Sequence, residues 1–296
     1  MRVSRSPAGD GVEVFAPAKV NLYLHVVGRR SDGYHLLDSL VVFVGVGDGL
    51  MIEAADDLTL RIDGPTAGGL TAEPDNIVLK AARALADRAG VAPRAAIRLT
   101  KRLPVAAGIG GGSADGAAAL RGLCALWGID PGDAELERLG LALGADVPVC
   151  LRGRPTQMSG IGEILAEAPP LPPVWMVLVN PRVAVPTPSV FKARHGDFSA
   201  PAPLAETPAD TASLVRALAG RGNDLAAPAI AVAPVVGDVL TALADQSECL
   251  LSRMSGSGAT CFGLFATAAA AAAAEASLTA QHPGWWIAAA PLVSRP

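Results

Sequence analysis

The chain has 296 residues, enough to bury a sizeable core and better matched to two domains of ordinary size than to one. Hydrophobic residues make up 51% of it, but alanine supplies much of that share, and no run approaches the roughly 18 to 20 uninterrupted apolar residues of a membrane span, so no membrane partner is expected. A formal net charge of -4 argues against nucleic acid, which requires clustered Lys and Arg, and confines any phosphate site to a local one.

Cys124, Cys150, Cys249 and Cys261 show no paired metal-ligand spacing, and the amino terminus lacks the apolar core of a secretion signal. Reduced thiols in a cytoplasmic protein follow. His25, His35, His195 and His282 are scattered, so no protein-bound metal is expected.

In chain order, Val12 to Val26 alternates, with Val20, Leu22, Leu24 and Val26 on one face and Lys19, Asn21, Tyr23 and His25 on the other. That is the pattern of a half-buried strand presenting polar groups. Pro17 cannot donate to a ladder and marks an edge or bend. A second strand, Ser39 to Val46, follows the turn at Asp32 and Gly33. After Pro74 the pattern is helical, with Asp75 or Asn76 as cap and Ile77, Leu79, Ala82 and Leu85 in an apolar stripe. Ala95 to Leu103 reads as a strand that runs into Gly108 to Gly112; Ser113 then caps a helix to Leu126, and Asp130 and Pro131 open another that ends near Gly144.

The stretch Ala168 to Pro173, APPLPP, is a stiff connector and the expected boundary between domains 1–167 and 168–296. The second domain opens with a strand over Val174 to Val179. It continues with helices around Ala212 to Ala219 and Gly237 to Leu243, a Ser/Gly loop at Ser255 to Gly258, and an alanine-rich helix from Ala266.

Leu103 to Leu120, LPVAAGIGGGSADGAAAL, puts four glycines within five residues at a helix entrance. Such a loop lets backbone N–H groups converge on an anion, and the helix start adds about half a positive charge. A Walker A loop would end in Gly-Lys-Ser/Thr, whereas Ser113-Ala114-Asp115 follows here. A dinucleotide fingerprint fails because Ser113 occupies the third glycine position and no second strand carries Asp130. The protein-kinase catalytic-loop and Asp-Phe-Gly signatures are missing from the sequence.

The loop is similar to the second motif of the galactokinase, homoserine kinase, mevalonate kinase and phosphomevalonate kinase superfamily. PAKVNLYLHVVGRRSDGYH, Pro17 to His35, resembles the first motif in its diphosphocytidyl-methylerythritol kinase branch. LGADVPVC, Leu143 to Cys150, PTPSVF, Pro186 to Phe191, and SGSGAT, Ser255 to Thr260, resemble further segments of that branch, in its order and across almost the whole chain. Ala114 stands where many members have a second serine.

The resemblance implies ATP-dependent phosphorylation, with Mg2+, of the 2-hydroxyl of a cytidylated methylerythritol. It implies an α+β fold, an amino-terminal domain similar to domain 2 of ribosomal protein S5 followed by a ferredoxin-like domain, with the site in the cleft between them. By the same resemblance Asp146 accepts the hydroxyl proton and Lys19 stands beside it. Pro104, Val105, Ala106 and Ala107, then Gly108, Ile109, Gly110, Gly111 and Gly112, and finally Ser113 and Ala114 form the ATP loop, with Asn76 and Lys101 near the adenine. A side chain at Gly111 is expected to stand where phosphate oxygens approach. Asn21 and Thr187 join the substrate site, Tyr34 and Phe191 lie on opposite faces of the cytosine, and His35 meets its edge. The glycine loop alone leaves homoserine or mevalonate as acceptor. A silent nucleotide-binding regulator would be expected to lack the lysine or the acid.

Overall fold

The computed structural model describes residues 3–5 and 11–293. Its first half runs β1 (Val3–Arg5), β2 (Val12–Arg29), β3 (His35–Glu53), β4 (Leu58–Asp63), α1 (Ile77–Ala89), β5 (Ala95–Thr100), α2 (Gly111–Trp127), α3 (Asp133–Leu143), α4 (Val147–Arg152), β6 (Thr156–Gly160) and β7 (Ile164–Glu167). The second half runs β8 (Trp175–Asn180), α5 (Thr187–Ala193), α6 (Thr211–Ala219), α7 (Ala226–Val232), α8 (Val235–Ala244), β9 (Leu251–Met254), β10 (Cys261–Phe265), α9 (Ala268–Gln281) and β11 (Trp286–Val293).

The 19-residue β3 is the spine of the sheet. One edge pairs with β2 along its length. The other is divided: Leu37–Val41 take β6, Phe43 and Val44 take the end of β11, and Gly49–Glu53 take β5. β11 also pairs with β8 through Trp286 to Pro291, and β8 continues to β10 and β9. The strand order β1-β2-β3-β11-β8-β10-β9 therefore crosses both halves without a break.

Helices α1 and α2 cover one face of the β2–β3–β5 region, burying Val14, Ile52, Leu85, Leu99 and Leu120. A second core, with Val20, Leu22, Leu40, Leu178 and Phe262, joins the two halves, and a third sits under α8 and α9. Full burial of each such side chain contributes about 1.5 to 3 kcal/mol.

The expected half-buried strand is buried on both faces from Ala16 to Val26: second-half residues pack on Val20 and Leu22, and Ser255 and Gly222 meet Asn21 and His25 on the polar side. Asn21 bonds to Ser39, Tyr23 to Asp38 and Gln157, and His25 accepts from the Gly222 amide. Periodicity alone shows two chemically distinct faces, not whether the polar one is wet. Pro17 sits at a register shift opposite Gly47, where a Cβ would stand 2.2 Å from the Ala16 carbonyl oxygen, so only glycine fits.

Asn76 caps α1 by accepting from the Val78 amide, and Gly90 ends it in the left-handed conformation. At α2 the cap is Gly110, not Ser113, which lies inside the first turn. The glycine run adopts helical geometry three residues earlier than a cap at Ser113 would start it. Likewise α3 starts at Asp133 after Gly132, later than Asp130 and Pro131 suggest.

Gly122 lets α2 lie against the sheet: a Cβ there would meet Ile52 Cδ1 at 2.6 Å and Val14 Cγ2 at 2.7 Å. Gly122→Ala is expected to lower unfolding free energy by about 1 to 3 kcal/mol through overpacking. Gly284→Ala, whose Cβ meets nothing within 4 Å, should change it by less than about 0.5 kcal/mol. Urea titration of both variants checks this; equal midpoints would refute the close approach as a constraint.

Candidate active site

Lys19 lies in mid-β2 with its backbone amide donating to Ile109 O of the glycine loop at 2.9 Å. Its ammonium, on a side chain 5% exposed, meets Asp146 Oδ2 at 3.0 Å and Asn21 Oδ1 at 3.2 Å. Asp146 stands at the head of α4, a helix that the sequence reading missed, and makes no side-chain capping bond there. Its carboxylate is 34% exposed. A buried cation thus holds one oxygen of an acid that remains open to solvent, the asymmetry required of a base that must meet an outside hydroxyl.

Asn21, expected among the substrate contacts, is buried and acts from behind. Its amide nitrogen donates to Ser39 Oγ at 2.8 Å while its oxygen receives Lys19, so the amide orientation and the ammonium position are fixed together. Its backbone amide donates to Ser255 Oγ at 3.1 Å, and Ser255 Oγ donates to Gly108 O at 3.2 Å.

Gly108 and Gly110 have φ of 73° and 64°, the left-handed region open to glycine. A Cβ on Gly108 would lie 2.5 Å from Gly258 O, so the two Gly-rich loops, 108–112 and 255–260, touch backbone to backbone. The first helical bond of α2 runs from Ala114 N to Gly110 O, which leaves the amides of Gly111, Gly112 and Ser113 for an anion. A Cβ on Gly111 would point inward, 3.6 Å from Lys101 Nζ, and not into the anion space; Gly112 has nothing within 4 Å. The expectation for Gly111 therefore belongs to Gly112, because one residue along a helix rotates the side-chain direction by about 100°.

The ammonium of Lys101, placed by sequence near the adenine, is turned into the protein, bonded to Asp48 Oδ2 and, at 2.6 Å, to Asp115 Oδ2. Asp48 also accepts from the amides of Arg102 and Leu103, which tethers the start of the loop. Burial works against the charge on Lys101, but Asp115 and Asp48 outweigh it and raise its pKa. Burial, with Asp48 adding to it, pushes the Asp115 carboxyl up to about 8. Asn76 remains a half-buried cap; in the chain leading to the loop Pro104 is half-buried and Val105 is exposed.

The turn after β2 and helix α5 enclose a cavity of about 690 Å³ lined by Tyr34, His35, Thr187 and Phe191. Tyr34 is 62% exposed, and the rings of His35 and Phe191 stack at 4.8 Å and 22°. Thr187 shares a 2.7 Å hydrogen bond with Ser257 of the second Gly-rich loop, which ties this cavity to the loop beside Lys19. His35 thus lies against the face of Phe191. Asp48, Asp115 and Asn223 were not singled out from sequence. Asn223 fixes the second loop by donating to Met254 O and Gly256 O. The Gly47-Asp48-Gly49 interruption of a strand was the one local signal for any of them.

A helix-start anion cradle beside a buried lysine and an open aspartate fits the site of a small-molecule phosphotransferase. Models of the GHMP kinases N terminal domain and the GHMP kinases C terminal domain match residues 76–154 and 204–284. A 4-diphosphocytidyl-2-C-methyl-D-erythritol kinase of Paramagnetospirillum magneticum is 63% identical over 94% of this chain and 98% of its own. A crystal structure of 4-(cytidine 5'-diphospho)-2C-methyl-D-erythritol kinase superposes with a TM-score of 0.77 at 35% identity, covering 95% of this chain and 98% of that one. A homoserine kinase from Cytophaga hutchinsonii shares the fold, with a TM-score of 0.73 at 19% identity over 99% and 100% of the two chains. The chain belongs to the GHMP kinases and, within them, to the 4-diphosphocytidyl-2-C-methyl-D-erythritol kinase family. It is a kinase with mixed α and β structure, and no helix among the described residues is long and apolar enough to cross a membrane.

Gly112→Val should raise the ATP dissociation constant at least about tenfold, whereas Gly111→Ala, whose Cβ makes only ordinary contacts, should leave it within about twofold. Equal effects at the two positions, by calorimetry, would count against the outward direction of Gly112.

Asp115 gives a pH signature. Its carboxyl is raised from 3.8 to about 8 in the fold, so across that window the folded state keeps a proton that the unfolded state releases. Its contribution to stability therefore falls as pH rises from about 4 to about 8. Asp115→Asn should flatten that part of the melting-temperature profile and, at pH 8, leave stability equal or higher. Asp48→Ala, which strips two backbone amides of their acceptor, should lose about 3 kcal/mol or more. An Asp115→Asn profile parallel to wild type would contradict the proton assignment.

Proposed function

We propose that the chain transfers the γ-phosphoryl group of Mg2+-bound ATP to the 2-hydroxyl of 4-diphosphocytidyl-2-C-methyl-D-erythritol, giving the 2-phosphate and ADP, in the non-mevalonate route to isoprenoid precursors in the cytoplasm. The observation that carries the chemistry is the 3.0 Å contact between buried Lys19 and the one-third exposed Asp146.

Asp146 takes the proton of the acceptor hydroxyl through its outward oxygen while Lys19 holds the other. The hydroxyl oxygen forms a bond to the γ-phosphorus, the bond from that phosphorus to the bridging oxygen breaks, and ADP leaves. Lys19 holds the Asp146 carboxylate in place and balances the negative charge that develops on the acceptor oxygen. The amides of Gly111, Gly112 and Ser113 bind ATP phosphate oxygens. Among the described residues no group of three or more His, Cys, Asp and Glu is placed to hold a metal, so Mg2+ would be carried mainly by the phosphates. The Ser113 hydroxyl is a hard oxygen donor that fits it, and the ion would neutralise charge on the moving phosphoryl group. Asn76 and residues 104–107 border the nucleoside end of ATP, and Lys101 supports the loop from beneath.

The cytidine end of the acceptor occupies the cavity of Tyr34, His35, Thr187 and Phe191. The stacked His35–Phe191 pair supports that reading by offering a ring platform, worth roughly 1 to 3 kcal/mol per stacked base.

Purified protein with Mg-ATP should release ADP with the cytidylated methylerythritol and much more slowly with mevalonate or homoserine. Asp146→Asn should melt normally, bind ATP and turn over roughly 100-fold slower or worse. Lys19→Met should reduce turnover more than ATP affinity. A fully active Asp146→Asn would remove the base, and a preference for mevalonate or homoserine would replace the acceptor.

A further inference from the structure

Beyond Lys19, β2 is gripped by a short segment from the second half of the chain. Leu24 N donates to Gly222 O and Asp224 N donates to Leu24 O, both at 2.9 Å, which makes a parallel bridge between Leu24 and Asn223. Val26 N donates to Asp224 Oδ2 at 2.7 Å, and Gly222 N donates to His25 Nε2 at 3.2 Å. Residues 222–224 are thereby laid along β2 as a strut.

From that strut the Asn223 side chain reaches the second Gly-rich loop. Its amide nitrogen donates to Met254 O at 2.8 Å and to Gly256 O at 2.9 Å, while its oxygen accepts the Leu225 amide at 2.9 Å. Asparagine is the side chain of this length that offers both donors and an acceptor; aspartate has no donor and serine has one. The two carbonyls bracket Ser255, whose hydroxyl accepts the Asn21 amide and donates to Gly108 O. Gly256 has φ of 56°, and a Cβ on it would stand 3.0 Å from Gly108 O and 3.6 Å from Asn21 Oδ1, the atom that receives Lys19.

The bonds close a ring that leaves β2 at Asn21, passes through Ser255 and Asn223, and returns to β2 at Leu24. A loop with Gly256 and Gly258 both in the left-handed region has little stiffness of its own, so the ring supplies it beside the Lys19–Asp146 pair.

We propose that Asn223, which lies outside the Lys19–Asp146 pair and the anion cradle, is a positioning residue for phosphoryl transfer: by holding Met254 O and Gly256 O it keeps Ser255 and Asn21 in the register that sets the Lys19 ammonium against Asp146. The inference deepens the proposed function and rests on its assignment of Lys19. Misplacement of a reacting or charge-stabilising group by about 1 Å costs up to roughly 100-fold in rate, so a residue acting at this remove is felt in turnover.

The test is a double-mutant cycle in turnover, run with whichever of the cytidylated methylerythritol, mevalonate and homoserine the wild type phosphorylates, so that a wrong acceptor leaves the cycle intact. Asn223→Ala should lower kcat roughly 10- to 100-fold while the ATP dissociation constant stays within about threefold. In the Lys19→Met background the same substitution should lower kcat by less than about twofold, because the group that it positions is gone. Asn223→Asp, which keeps the acceptor for Leu225 and loses both donors, should match Asn223→Ala. Ser255→Ala removes the relaying hydroxyl itself and should show the same non-additivity with Lys19→Met, which decides the matter where the Asn223 variants fail to fold. Losses that multiply in the double variants, the mark of a residue that only supports the fold, overturn the proposal. So does undiminished kcat in a folded Asn223→Ala protein, or a loss confined to ATP affinity. Wild-type turnover by Lys19→Met, or a wild type active on none of the three acceptors, refutes the proposed function itself, and the role of Asn223 falls with it.

Discussion

The backbone contact between the two Gly-rich loops is the constraint on which the rest of the site depends. Lys19 N bonds to Ile109 O, Thr260 N to Ala107 O, and Ser255 Oγ to Gly108 O. Chains can approach this closely only where neither carries a side chain, and a Cβ on Gly108 would overlap Gly258 O. Through this seam the glycine loop, β2 and the second half of the molecule are fixed relative to one another by main-chain geometry. The precision needed for in-line transfer thus comes from backbone, while side chains supply the charge.

Charge is placed in two contrasting ways around that seam. Lys101 is enclosed by two carboxylates, and the group is close to self-sufficient electrostatically once Asp115 holds a proton. Lys19 is equally buried but pairs with an acid that remains one-third exposed. The first arrangement stiffens the floor beneath α2. The second leaves a cation and an acid half-satisfied at the place where a substrate must complete the shell. Asp115 Oδ1 has no hydrogen-bond partner, as expected of a carboxyl that burial has driven toward its neutral form.

Much of this was legible in the sequence, and the limits were physical. The glycine loop stood out because a glycine cluster at a helix entrance leaves a local pattern, whereas Lys19 and Asp146, which locally read as an ordinary strand lysine and a turn residue, were picked out only by the resemblance of their motifs to the family. Alternation separated the two sides of β2 correctly but could not say that both would be dry, since the covering residues lie some 200 positions away, as in the Leu24–Gly222 and Asn21–Ser255 contacts. The ion pairs of Lys101 were hidden for the same reason: its partners Asp48 and Asp115 come from β3 and α2, and nothing in the local spacing of Lys101 points to them. The inward turn of Gly111 depended on where α2 begins, which hinged on a glycine cap in place of the expected serine.

The closing role of β11 has a consequence for how the molecule is made. Phe43 and Val44 of β3 find two of their partners only at Leu292 and Val293, and β8 is completed on one side only by Trp286 to Pro291. A nascent chain that has not yet reached residue 286 can assemble the β2–β3 hairpin with α1 and α2, yet it leaves open edges on β3 and β8. Such edges are templates for pairing with other chains. Since amino-terminal parts fold first during synthesis, the half-made protein passes through a sticky interval that ends only when its eleventh strand arrives.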